Sequence, residues 1–336
     1  MMRLKFSLVV TCFNEMKSLP QWYKDLEAQT RQPDEIVVVD SESTDGTGQF
    51  LRSWAERDPR LKLIIQKCSP ARGHNIGNEA AQYEHIVSTD MGIRIDPRWF
   101  EEIVRPFEED PSVEVVAGSY AVDMSTVKTA AARAEYYVKG DQTPILKPGF
   151  IISNRSSAYK KEVWRQLGGL PEDLTRYADD AVFGRQIVQK GYKMAFAPQA
   201  KVYWARHAKL KDFWKETKGY GIGDGEANIK TPMAFRLYEK GILPRFLVPP
   251  LTALRLFSVQ IKRVNFWLAI KKADFVALAF IPLLLLGNGW YFAKGYLIGD
   301  ERGKRECQAC RSRLSGGSGH KGLPGKLQEV PFEQLS

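Results

Sequence analysis

Apolar positions in the first 120 residues alternate between two patterns. Short runs rich in Val and Ile, "KFSLVVT", "DEIVVVD", "LKLIIQ", "HIVSTD" and "VEVVAG", read as strands. Between them, "LPQWYKDLEAQ", "GQFLRSWAER", "HNIGNEAAQY" and "PRWFEEIVRPF" carry apolar residues at helical spacing. Val- and Ile-rich strands separated by helices predict an α/β fold, a mainly parallel sheet covered on both faces. Ligands of such sheets bind beyond the carboxyl ends of the strands. Four strand ends therefore matter most: Thr11 to Glu15, Asp40, the "ARGHN" loop and Asp90.

Further on the pattern is more mixed. "FIISNRSSAYKKEVWRQLGG" predicts a strand, a polar turn and a helix stopping at Gly168 and Gly169. "YADDAVFGRQIVQKGY" opens a helix on the adjacent acids Asp179 and Asp180, and "KMAFAP" reads as another strand. After about Thr231 the chain becomes apolar with prolines, as in "LPRFLVPPLTALRLFSV", and reads as interfacial. Residues 275–292 approach the minimum length of a membrane span, but Pro282 and "GNG" interrupt them. One short span or a re-entrant hairpin fits, and the flanking Lys271, Lys272 and Lys294 favour the hairpin. The bland alternative is a buried core helix. From Asp300 onward Gly, Ser and Lys predict a disordered basic tail.

Composition changes this picture in one respect. The net charge of +10 is concentrated at one end: residues 1–235 hold 33 Lys and Arg against 32 Asp and Glu, whereas 236–336 hold 16 against 7. A charge confined to the last third argues against nucleic acid as a partner and for an anionic membrane surface. The cysteines Cys12, Cys68, Cys307 and Cys310, behind an N-terminal apolar run too short for a signal sequence, predict a reducing compartment. Cys307 and Cys310 are half of a zinc motif without its second half. The glycines of "GYGIGDGEA" fall at every second position, unlike a dinucleotide fingerprint. Its Asp224 is a candidate contact for an acceptor or a lipid head group.

The blocks "VVTCFNE", "DEIVVVDSESTDGT", "ARGHNIGNEAA", "IVSTDMG" and "RYADDAVFGRQIVQKGYKMAFAP" come in an order and spacing that resemble the family-2 glycosyltransferases, over residues 5 to about 205. The resemblance implies a GT-A fold over residues 1–235 as the catalytic domain, followed by a membrane-associated helical segment at 236–299 and the tail at 300–336. It also implies residue roles. Thr11, Phe13 and Glu15 would surround a nucleotide base, with Asp40 accepting hydrogen bonds from base or ribose. Phe13 stands where the family often has Tyr, which keeps the stacking and loses the hydroxyl. Arg72 and Asn75, at a helix start, would meet the diphosphate, since helix N-termini and Arg both favour phosphate.

In the resembled family an Asp-x-Asp motif binds Mg²⁺ or Mn²⁺; here Asp90 is the first acid and Gly92 replaces the second. Mg²⁺ commonly takes one or two carboxylates plus phosphate and water, so Asp90 is the expected metal ligand. Asp96 is either a helper or a helix cap, and His207 is a further candidate ligand. Asp180 corresponds to the family's general base, and Asp179 to the acid before it on the donor side. The implied activity is inverting transfer from a UDP- or GDP-sugar to a hydroxyl of a lipid-linked or other glycan acceptor, at the cytoplasmic membrane face. Transfer directly to a polyprenyl phosphate is the alternative, followed by a non-catalytic nucleotide-sugar-binding module. A sugar-nucleotide pyrophosphorylase should carry a Gly-rich phosphate loop that "VVTCFNEMKSLP" lacks. Sugar contacts are expected around Gly118 to Ala121 and Asn154 to Ser157.

Overall fold

The computed structural model describes residues 3–140 and 151–315. Eight strands are present: β1 Phe6–Cys12, β2 Glu35–Asp40, β3 Leu61–Ile65, β4 His85–Ser88, β5 Arg94–Ile95, β6 Val115–Val122, β7 Ser157–Lys160 and β8 Met194–Trp204. The helices are α1 Leu19–Glu27, α2 Thr47–Ala55, α3 Pro70–Ala80, α4 Trp99–Glu109, α5 Ala130–Lys139, α6 Lys161–Gln166 and α7 Asp179–Lys190. They continue with α8 Leu210–Glu226, α9 Met233–Glu239, α10 Val248–Gln260, α11 Phe266–Lys271, α12 Phe275–Glu306 and α13 Gln308–Ser315. The chain divides into two compact units, one of Met1–Ala121, Thr143–Glu172 and Asp179–Trp204, the other of the remaining segments.

The first unit holds one mixed sheet in the order β3-β2-β1-β4-β7-β6-β8-β5. The pairs from β3 to β4 are parallel, and β7 then runs antiparallel to both β4 and β6. Every position of β2 is buried and all but one of β1, as expected of strands covered on both faces. Alternation along β1 sends Phe6, Leu8 and Val10 into one core with Trp22, Trp54, Trp99 and Phe100. Val9 enters the other core with Tyr159, Phe183 and Ile187. Three sequence expectations shift. The strand expected in "FIISN" forms instead at Ser157–Lys160, after the polar turn. α3 begins at Pro70, because the Ser69 side chain accepts from the Arg72 N–H at 3.3 Å and Pro70 suits the first helical position. Strand β8 runs on to Trp204, and the two-residue β5 pairs with it.

The second unit is helical around α12. That helix runs unbroken through Pro282 and "GNG", which does not fit the re-entrant hairpin expected at 275–292, and by length and composition it is long and apolar enough to cross a membrane. Its C-terminal half lies directly on α8. A side chain at Gly295, Gly299 or Gly303 would strike the backbone carbonyls of Lys218, Ile222 and Glu226, and one at Gly221 or Gly225 those of Phe292 and Tyr296. Such close backbone approach is available only to glycine.

The expected tail is likewise ordered as far as Ser315, and its charges explain why. The Glu226 carboxylate, fully buried, accepts from the Thr175 N–H at 2.9 Å and from Arg302 Nη1 at 2.8 Å. Arg311 donates to Glu226 O at 2.8 Å and to the buried Asp300 carboxylate at 3.1 Å. Among the described residues Cys307 and Cys310 join no metal-holding group; the Cys307 thiol donates to Asp173 O at 3.0 Å and the Cys310 N–H to Asp173 Oδ2 at 2.8 Å. Asp224 is buried, with Lys230 Nζ 3.7 Å away, which places it in the fold rather than on an accessible surface. Residues 316–336, with His320, lie outside the described residues.

Breaking a buried ion pair by removing one partner typically costs about 3–5 kcal/mol. Glu226→Ala should therefore lower the unfolding free energy by about 3 kcal/mol, measured by urea denaturation, because Arg302 loses its buried partner. An unchanged midpoint would make the last two helices dispensable to this unit.

Candidate active site

Parallel pairing brings three strand ends together. Cys12 lies opposite Asp40 in the β1–β2 register, and β4 ends at Ser88 on the other side of β1. The loops after β1 and β2 are laced to each other. The Asn14 N–H donates to Ser43 Oγ at 2.8 Å, and the Thr44 N–H returns a bond to Asn14 Oδ1 at 2.8 Å. The Glu15 N–H donates to Thr47 Oγ1 at 2.9 Å, and the Met16 N–H to Asp45 Oδ2 at 3.0 Å. Asp45 is thus a loop-ordering acid.

Asp40 is buried, and its Oδ1 accepts from the Ser43 N–H at 3.1 Å and the Ser43 hydroxyl at 2.5 Å. It lines a cavity of about 340 Å³ with Ser43, Gln49, Arg52 and Ile65. Phe13, half exposed beyond the strand end, offers an aromatic face. Thr11 packs on α3, where a side chain at Gly73 would meet its methyl group at 2.9 Å.

Arg72 and Asn75 do occupy the first turns of α3, but both are engaged within the fold. Arg72 Nη1 lies 3.2 Å from Glu172 Oε1. Asn75 Nδ2 donates to Leu170 O at 2.9 Å and Glu172 Oε1 at 2.8 Å, while its Oδ1 accepts from the Leu170 N–H and the Trp164 indole. An amide with all its bonds committed pins the turn after α6, so the donor-binding role expected of Asn75 is corrected to a structural one.

Asp90 follows β4 with its side chain 42% exposed, and Arg155 Nε stands 3.8 Å from its Oδ2. Its pKa is raised, chiefly by its recessed setting and further by the charges of Asp180 and Glu15, with Arg155 opposing. The accessibility of the side chain tempers the first of these causes. Glu15 completes the acid group from the other side: its carboxylate accepts from Ser18 Oγ at 2.5 Å and lies 3.4 Å from where a Cβ on Gly92 would sit. Asp96 turns away, capping Arg98 N at 3.1 Å and accepting from the Tyr203 hydroxyl at 2.8 Å.

The first turn of α7 carries Asp179 and Asp180. Gly184, two residues into the next turn, has no room for a side chain against Ile151, so α7 lies close on the segment before β7. That brings Asp180 Oδ2 within 3.1 Å of the Ser153 hydroxyl, which donates to it. His74, buried in α3, lies in the field of Asp180; burial nonetheless holds its pKa down at about 4, so the ring is neutral. Arg155 falls within the Asn154 to Ser157 stretch expected to contact the sugar, but its partners were not anticipated: it stands by Asp90, and its guanidinium carbon lies 3.9 Å from the Trp204 ring centroid. A Ser-Asn-Arg turn has no spacing signal; only the fold carries it to Asp90.

The metal expectation meets a thin donor set. Among the described residues no group of three or more His, Cys, Asp or Glu side chains converges to hold a metal. A single carboxylate fits Mg²⁺ when phosphate oxygens and water fill the other positions, and Asp90 fits on those terms. His207 does not. It belongs to the second unit, where its Nδ1 is 3.0 Å from Glu135 Oε2 and its Nε2 3.2 Å from Glu216 Oε2. Both ring nitrogens are occupied, which corrects the ligand role expected for it.

Against this geometry the comparisons with known proteins are direct. Residues 7–168, just under half of the chain, match the model described as glycosyl transferase family 2. The chain is 26% identical over 211 residues to the O-antigen chain rhamnosyltransferase WbaN of Salmonella anatum, a match covering 59% of this chain and 65% of that protein. It is 24% identical over 234 residues to the succinoglycan biosynthesis protein ExoA of Rhizobium meliloti, covering 66% and 70%. It thus spans just under two thirds of the first relative's length. A mannosyltransferase of Pyrobaculum calidifontis, solved with GDP-Man and Mn²⁺, superposes with a TM-score of 0.52 at 20% identity, over 94% of this chain and 79% of that one. The fold is of the GT-A type.

Asp179 provides a test of the site's electrostatics. Burial first, and the Asp180 charge second, push its pKa from 3.8 up to about 8. The folded state therefore keeps a proton that the unfolded chain releases near pH 4, and stability contributed below that pH is lost as pH rises towards 8. In thermal melts of the ligand-free protein, Asp179→Asn should match wild type near pH 4 and be more stable at pH 9. A difference independent of pH would contradict this assignment.

Proposed function

We propose that this protein is an inverting glycosyltransferase that uses a nucleoside-diphosphate sugar, UDP- or GDP-linked. The observation carrying the reading is Asp180, hydrogen-bonded by Ser153 on the first turn of α7, in the same acid group as Asp90 at the strand ends. The base would lie by Phe13 in the cavity beside Asp40. Asp90 would hold Mg²⁺ or Mn²⁺, whose chemistry when bound is to add positive charge at the diphosphate. The Mn²⁺ and GDP-Man bound by the Pyrobaculum protein support that choice of ligands. The acceptor hydroxyl gives its proton to the Asp180 carboxylate and forms a bond to the anomeric carbon from the face opposite the leaving group. The anomeric bond to the diphosphate oxygen breaks, its electron pair leaves with the nucleoside diphosphate, and the configuration inverts.

General-base help is worth roughly 10²- to 10⁴-fold in rate. Asp180→Asn should lower kcat by that factor while binding nucleotide as wild type does, read by product formation and calorimetry. A nearly silent substitution would instead favour transfer to a polyprenyl phosphate, an acceptor already ionised.

The relatives named for O-antigen and succinoglycan synthesis support a bacterial surface polysaccharide as the product, built on a lipid-linked acceptor. The second unit supports docking at the cytoplasmic membrane face. All the exposed large apolar side chains of the described residues except Phe13, Ile65 and Met124 lie between Met233 and Ile298. Trp267 and Phe275 are more than two-thirds exposed, and Lys271 Nζ rides 4.9 Å over the Trp267 ring. Exposed aromatics among lysines suit the interface of an anionic bilayer. In co-sedimentation, the protein should bind vesicles containing anionic lipid and largely ignore neutral ones, and Trp267→Ser with Phe275→Ser should weaken that binding several-fold. Equal binding of the double variant would remove this surface from consideration.

A further inference from the structure

One short turn reaches both carboxylates of the site. Ser153 donates to Asp180 at 3.1 Å, and two residues on, Arg155 is 3.8 Å from Asp90. The Arg155 side chain is held on several sides. Its guanidinium carbon sits 3.9 Å from the Trp204 ring centroid, a cation–π contact that helps hold the group in place. Thr89, next to Asp90, donates its hydroxyl to Arg155 O at 2.8 Å. The following residue, Ser156, is buried, accepting from the Trp99 indole at 2.8 Å and donating to Ala200 O at 3.2 Å. Gly118 has no space for a side chain beside that hydroxyl.

The surroundings ask for a cation here. Glu15, Asp179 and Asp180 stand near Asp90, and the position of a second motif acid is Gly92, lined by the Glu15 carboxylate. A diphosphate entering such a group needs positive charge beyond what one carboxylate can recruit through a metal. Arg155 is within ion-pair range of Asp90 but too far for a hydrogen bond, so its hold on that carboxylate is loose. Phosphate oxygens, which a guanidinium takes in bidentate, charge-assisted fashion, compete well for it. Its side chain is 22% exposed, open enough to be met by a ligand.

We propose that Arg155, stacked on Trp204, is a diphosphate clamp that lets this chain bind its nucleotide without a divalent metal. The inference rests on the nucleotide-sugar reading above and adds to it the group that carries the charge. Asp90 then has two roles: it orients the guanidinium through the ion pair, and it is the residue that would hold a metal, whose chemistry would be to add positive charge at the diphosphate.

Calorimetry with UDP and GDP, each in EDTA and in Mn²⁺, on wild type, Arg155→Gln, Arg155→Lys and Trp204→Leu tests it. Wild type should bind one diphosphate in EDTA, with Mn²⁺ improving affinity by less than about tenfold. Arg155→Gln should lose about tenfold or more in EDTA, the worth of a charge-assisted contact. Arg155→Lys should recover part of the loss, as a point charge without the fork. Trp204→Leu should fall between them. Thermal melts identify any variant that fails to fold, and Arg155→Lys keeps the test open if Arg155→Gln does. Wild-type binding that requires Mn²⁺, or equal EDTA binding by wild type and Arg155→Gln, would overturn the clamp while leaving the nucleotide reading intact. Binding of neither diphosphate under either condition would overturn both.

Discussion

Repulsion among carboxylates is the constraint around which this site is organised. Glu15, Asp90 and the adjacent pair Asp179 and Asp180 come from three separate segments and interact at one strand edge. Burial first, and like charges nearby second, raise the pKa values of Asp90 and Asp179. The fold tolerates this because its core is elsewhere: two apolar layers clamp β1 and β2 throughout their length, leaving the strand ends to carry unfavourable electrostatics. A site that stores repulsion in its empty state is one that gains when a cation or a proton arrives. Binding of a cation would relieve the repulsion, and in that sense ligand binding and stability are one quantity here.

The turn at 153–156 is where that repulsion is managed, and it is built from the inside out. Ser156 anchors it to Trp99 and to the β8 carbonyl of Ala200, with Gly118 making room. From that anchor Ser153 meets Asp180 and Arg155 meets Asp90. The spacing of two residues puts a neutral donor on one acid and a full positive charge on the other. Asp180 meets the neutral Ser153 hydroxyl, which suits the base role proposed for it, whereas Asp90 faces the charge of Arg155.

How much of this was legible in the sequence depends on range. Strands β1, β2 and β4 and the acids that end or follow them could be read from local apolar runs, since a strand buried on both faces leaves a continuous signature. Asp179 and Asp180 could be found because adjacent acids at a helix start are a local pattern. Asn75 and His207 misled for one reason: each has the right residue type in the right neighbourhood, and only distant partners, Leu170 and Trp164 for one, Glu135 and Glu216 for the other, decide what it does. Arg155 lay within a stretch expected to touch the sugar, but its ion-pair and stacking partners were hidden for the same reason in reverse. Its neighbours in space, Asp90 and Trp204, are far from it in sequence, so no window contains the interaction.

The tail shows the same logic acting on a whole segment. A window rich in Gly and charge reads as disordered because it lacks apolar residues of its own. Yet Gly303, like Gly295 and Gly299 just before the tail, is a means of packing that admits an α8 carbonyl, and Asp300, Arg302 and Arg311 each find a partner within the unit. Glycine and charge signal disorder only when nothing complementary exists elsewhere in the chain. Here α8, with Gly221 and Gly225 facing α12 and with the buried Glu226 at its end, is the complement. Its unusual every-second-residue glycines, which fail as a nucleotide fingerprint, serve helix packing instead.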